Sequence, residues 1–105
     1  MLQEIYKAAE QEAPNEMCGL LIEENGIEKF IKCKNLAEDK KSHFKIDPEL
    51  LVRYQLTAKI LYVVHSHYNE DSKLSKHDKD VSKALGLPYM VVSYPEKGVT
   101  CYDPS

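Results

Sequence analysis

The residues best placed to do chemistry together are His65 and His67, with Asp78 further along the chain. In an extended segment alternate side chains share a face, so both imidazoles can point at one ion. They follow Ile60–Val64, a β-branched apolar run that reads as a buried strand and gives them a rigid base beside a polar loop. Neutral imidazole is a good zinc ligand, and an acidic third ligand leaves one tetrahedral position for water. Asp78, in the first turn of the next expected helix, can supply that acid. Zinc lowers the pKa of such a water toward neutrality. Hydrolysis then needs a carboxylate outside the metal shell that takes the proton and returns it to the leaving amine. Glu16 is one candidate, and spacing alone does not select it over Glu12 or Glu70.

Each of these residues also has a plainer role. Two histidines at a strand end are commonly just a polar terminus. Ser75 and Asp78 have the spacing of N-cap and N3 in a capping box, which leaves Asp78 able to bind metal but commits part of its oxygen capacity. His77 is expected to project from a different helical face than Asp78, and His43 reads as a surface histidine. The three cysteines, Cys18, Cys33 and Cys101, form no Cys-x-x-Cys pair, so neither a zinc knuckle nor a redox motif is indicated. Cys18 paired with a histidine as a papain-like nucleophile lacks any local signature.

The elements that must position these groups can be read from periodicity. Leu2, Ile5, Ala9 and Ala13 recur at helical spacing, giving a helix over 2–12 stopped by Pro14. Met17–Ile22 is a buried strand, Asn25-Gly26 a type I′ hairpin turn, and Ile27–Cys33 the returning strand. A loop over 35–41 leads to a short strand at His43–Ile46. Asp47-Pro48-Glu49 then opens a helix reaching about Ala58 and burying Leu51, Tyr54 and Ala58. After the strand at Ile60–Val64 come a helix over about Lys76–Leu85, closed by Gly86 and Pro88, and strands at Tyr89–Ser93 and Val99–Tyr102. This order describes an α/β sandwich, a mixed sheet flanked by helices.

With 105 residues the chain has the size of one domain, 1–105. Its net charge of −3 gives no electrostatic case for nucleic-acid binding. No apolar run reaches the ~18–20 residues that span a bilayer, and no leader pattern is visible, so synthesis and folding in the cytoplasm are expected.

His65-x-His67, seven residues, Ser75, two residues, Asp78, with Glu16 just ahead of Met17-Cys18-Gly19-Leu20-Leu21, resembles the JAMM (MPN-type) zinc metallopeptidases. The likeness extends to Phe44–Glu49 and Leu87–Ser93, so it covers nearly the whole chain. It implies a cytidine-deaminase-like α/β sandwich, a zinc ion on His65, His67 and Asp78, Glu16 as general acid/base, and Ser75 orienting the attacked carbonyl or stabilising the oxyanion. Tyr68 stands where most members have proline. The insertions that recognise ubiquitin in eukaryotic members are absent. The helix after Pro48 and the Leu87-Pro88-Tyr89 strand entry are most similar to the N-terminal JAMM domain of lambda-type phage tail assembly proteins. That likeness implies a peptide or isopeptide substrate, with peptidoglycan peptides among the candidates, tail proteins as partners and incorporation in a phage tail. Two other family types compete: the bacterial JAMM hydrolase that trims a ubiquitin-like sulfur-carrier protein, and a catalytically silent MPN scaffold.

Overall fold

The computed structural model describes residues 1–105. The elements follow the order α1 (Leu2–Glu12), β1 (Cys18–Glu24), β2 (Ile27–Cys33), α2 (Pro48–Thr57), β3 (Lys59–Tyr68), α3 (Lys76–Leu85), β4 (Tyr89–Tyr94) and β5 (Val99–Tyr102). The strands form one sheet in the order β2-β1-β3-β4-β5. Only the β3–β4 pair is parallel. A parallel pair needs a crossover connection, and α3 with the loop before it supplies one.

Local sequence chemistry accounts for the boundaries. Asn25 and Gly26 both have positive φ, 54° and 77°, as a type I′ turn requires. Asp47 caps α2 by accepting from the Glu49 amide, with Pro48 in the first turn. Gly86 ends α3 in the left-handed conformation, φ 67°.

The strand alternation divides the core into two layers. Cys18, Leu20, Ile22, Val63, Tyr89 and Val91 pack on the side of α2 and α3. Met17, Leu21, Val64, Met90 and Val92 pack on the other side with Ile5, Ala8 and Ala9 of α1. His65 and His67 follow the phase of Val63, so the strand carries both toward the first layer.

Two expectations are corrected. Residues 43–46 form no strand. The Lys45 amide is taken by the Asn35 side chain, and only the Lys45 carbonyl meets a neighbouring backbone amide, that of Leu36. Helix α2 also buries none of its residues fully; Leu51, Tyr54 and the adjoining Ala58 pack half-buried against the core. Strand β3 is longer at both ends than its apolar run, because Lys59 pairs with Glu23 of β1 at one end and His65–Tyr68 pair with Val91–Tyr94 of β4 at the other.

Candidate metal centre

Antiparallel pairing sets Cys18 opposite His65, which brings the residues just before β1 beside the end of β3. One ligand atom each from Glu16, His65 and His67 then lies within 4.8 Å of the others. Glu12 is elsewhere, paired with Lys32 at 2.8 Å, and Glu70 stands near enough for its charge to act on Glu16. Of the three acids only Glu16 joins the two histidines in this group.

His65 is fully buried, and neither of its ring nitrogens has a hydrogen-bond partner. Its Nε2 stands 3.2 Å from Asp78 Oδ2, close but not aligned for a hydrogen bond. Buried polar atoms are almost always satisfied, so two orphaned nitrogens on one ring call for a missing partner. Phe44 stacks on the ring, with centroids 4.4 Å apart and planes 18° from parallel, and fixes its plane. Burial lowers the His65 pKa despite the opposing pull of Asp78, so the ring is held neutral, as a metal ligand must be.

His67 is oriented differently. Its Nδ1 lies 2.9 Å from the Asp71 carbonyl. A carbonyl only accepts, so Nδ1 carries the proton and Nε2 keeps its lone pair for a ligand.

Asp78 and Ser75 form the expected capping box: Ser75 Oγ accepts from the Asp78 amide at 3.1 Å, and Asp78 Oδ2 accepts from the Ser75 amide at 3.2 Å. Burial works against the Asp78 charge, but the His65 ring and the Ser75 donors outweigh it and hold the pKa down at about 2. Glu16 behaves oppositely. Burial, reinforced by the charges of Asp78, Glu70 and Asp39, pushes its carboxyl up to about 8. Two carboxyls bordering one cavity are thus driven apart, one ionised and one poised near neutrality.

A cavity of about 550 Å³ opens beside these groups and is bordered by Glu16, His67, Ser75 and Asp78. His77, expected to face away, borders it too. From the start of α3 the cavity is bordered by Ser75, His77 and Asp78, but not by Lys76. His43 is exposed, as expected, and also stands on the rim.

Three positioning residues had no sequence signal of their own. Ser66, the spacer between the histidines, accepts through Oγ from the Met17 amide at 2.8 Å and donates its own amide to the Met17 carbonyl, anchoring the residue next to Glu16. Phe44 covers His65. Buried Asn35 ties both together: Nδ2 donates to the Glu16 carbonyl at 2.9 Å and the His43 carbonyl at 3.0 Å, and Oδ1 accepts from the amides of Ala37 and Lys45. This uses the full capacity of the amide. Asn35→Ala should therefore cost about 2–4 kcal/mol through orphaned backbone groups. Urea unfolding measures that loss, and a change below roughly 1 kcal/mol would show that the four bonds are not formed together.

Comparisons with known proteins agree with this architecture. Residues 1–103 match the family of prokaryotic homologs of the JAB domain. The chain belongs to that family. The tail tip assembly protein K of Escherichia phage N15 is 30% identical over 100 residues, covering 95% of this chain and 41% of that protein. The chain thus spans less than half the length of this relative. Among solved structures, a protein of Desulfitobacterium hafniense superposes with a TM-score of 0.72 at 29% identity, over 95% of this chain and 75% of that one. A structure described as a metalloprotease-like zinc site in the proteasome and signalosome gives 0.61 at 22% identity, over 98% and 81%. The JAB-family chain therefore has the fold expected from its motif, one related to JAMM metalloproteases, and carries a Glu/His/His group able to hold a metal.

Proposed function

We propose that this JAB-family chain, read as one domain over 1–105, is a zinc-dependent peptidase or isopeptidase that hydrolyses an amide bond. The observation that carries the reading is the buried His65 ring with both nitrogens unpartnered at the junction of Glu16, His67 and Asp78. His65, His67 and Asp78 are the proposed ligands. The compact group in the structure has Glu16 beside the two histidines. Asp78 is proposed as the third ligand because its Oδ2 lies 3.2 Å from His65 Nε2 and its carboxyl is held ionised, which leaves Glu16 free as the proton carrier.

Zinc, when bound, supplies a Lewis acid and lowers the pKa of water. The remaining work falls to the chain. Asp78 stays ionised because the Ser75 amide donates to its Oδ2. Glu16, with a carboxyl near neutrality, can take a proton from the attacking water and give it to the departing amine. Ser75 Oγ receives the Asp78 amide through a lone pair, which leaves its own hydrogen available to a substrate carbonyl oxygen in the cavity. Capping and carbonyl binding are therefore compatible duties.

The name of the N15 relative ties that protein to tail tip assembly. We place this chain in the same setting, made in the cytoplasm and incorporated in a tail, with tail proteins as partners and peptidoglycan peptides as candidate substrates. No helix is long and apolar enough to cross a membrane. The test is metal analysis joined to an amidase assay on peptidoglycan peptides. Wild type should carry close to one zinc, and Glu16→Gln should keep the zinc while losing at least about a hundredfold in rate. A wild type that neither holds nor accepts zinc would leave the silent-scaffold reading standing.

A further inference from the structure

The cavity beside the proposed centre has two unlike walls. Glu16, His67, Ser75 and Asp78 form the polar one at the proposed centre, and the exposed Ser42, His43, Lys45 and His77 complete the polar lining. Phe44, Ile46, Leu51, Val81, Leu85 and Tyr89 line the other. That apolar wall is an unfilled place in the packing. An amphipathic helix normally buries its inner stripe, yet α2 has no fully buried residue, and Leu51 remains partly open to the cavity. Interiors are otherwise close-packed, and about 550 Å³ lies within the range of pockets that enclose small ligands rather than of packing defects.

From this we infer that the apolar wall receives a bulky aliphatic or aromatic side chain adjoining the amide held at the polar wall. The substrate class is a peptide with a large apolar residue next to the bond that is cut, not a glycine-rich tail. Both walls belong to one cavity, so a carbonyl within reach of Ser75 sets the neighbouring side chain against Phe44, Leu51 and Val81. Phe44, Leu51 and Val81 offer no partner to a charge held against them. The basic side chains of the same lining, Lys45, His43 and His77, are exposed and would serve only an acidic side chain reaching past the apolar wall. A glycine would leave the wall wet.

The inference rests on the metal-dependent reading above, and binding measurements separate the two. Acetohydroxamate and phenylpropanohydroxamate share a zinc-chelating head and differ only in the apolar group. On zinc-loaded protein the phenyl compound should bind at least about tenfold more tightly, since burying its ring removes ample apolar area from water. Leu85→Trp and Leu51→Trp, both at half-buried or exposed positions that tolerate a larger side chain, should erase most of that difference without changing zinc content. Equal binding of the two hydroxamates, within about threefold, would overturn the inference while leaving the metal centre intact. If the protein takes up no zinc, the metal reading fails by itself. The pocket is then decided with phenylpropanamide on the metal-free chain. Amide NMR shifts gathered at Phe44, Leu51, Val81 and Leu85 would support it, and shifts elsewhere or none would overturn it.

Discussion

His65→Ala should abolish zinc uptake and hydrolysis together, and the stability of the protein should become indifferent to zinc. A ligand that binds only the folded state stabilises it by RT ln(1 + [L]/Kd), about 4 kcal/mol at a thousandfold excess over Kd. For a chain of this size that is a rise in melting temperature of more than about ten degrees. Wild type should show the rise, and His65→Ala should not. The metal-free proteins discriminate further. Alanine leaves a hole beneath Phe44 and should cost about 2–5 kcal/mol. Leucine fills that volume and removes two buried nitrogens that have no partner, so metal-free His65→Leu should lie well above His65→Ala and near wild type. If the imidazole instead served the fold through a good bond to Asp78, leucine would be as damaging as alanine. The three melting curves, with and without zinc, distinguish a ligand from a structural histidine.

How much of the fold and the site is legible in the sequence follows from the range of each interaction. The shared face of His65 and His67, the Asn25-Gly26 turn, the Asp47-Pro48 start and the Ser75–Asp78 box all depend on neighbours a few residues away, and all are found. Spacing makes Glu16 a candidate without selecting it, because what brings it beside the histidines is the register that sets Cys18 opposite His65, distant in sequence. Asn35 sits in a polar stretch that reads as an ordinary loop, yet its partners come from residues 16, 37, 43 and 45. The same bonds explain why 43–46 looks like a strand and is none: Asn35 takes the Lys45 amide that a sheet partner would have used. His77 borders the cavity next to Asp78, although helical periodicity sets the two on different faces of α3. Tyr68, where the resemblance leads one to expect proline, ends β3 paired with Tyr94, with rings 6.4 Å apart, and both histidines lie in the same strand.

The raised carboxyl of Glu16 has a consequence that does not need a substrate. A group whose folded pKa lies above its unfolded value binds more protons in the folded state between those two values. Stability from that group is therefore fully present below the unfolded value and is lost as pH rises through the folded one. For Glu16 the window runs from 4.5 to about 8. His65 works the other way below 6.5, because its buried ring resists a proton that the unfolded chain accepts, and Asp78 acts only below 3.8. The comparison must thus be with Glu16→Gln, which removes one titration and leaves the others. Metal-free wild type should lose stability relative to Glu16→Gln steadily across the window. The total should be on the order of 2–4 kcal/mol, given about 1.4 kcal/mol for each pH unit between the two values and a residue 7% exposed. A parallel pair of stability–pH curves would mean the carboxyl is ionised in the folded chain. Zinc should reverse the preference, since a cation beside Glu16 favours its charged form. Zinc binding near pH 7 should therefore release a proton from wild type that Glu16→Gln does not release. Titration calorimetry in two buffers of different ionisation enthalpy counts that proton, and an equal count in both proteins would place Glu16 outside the field of the metal.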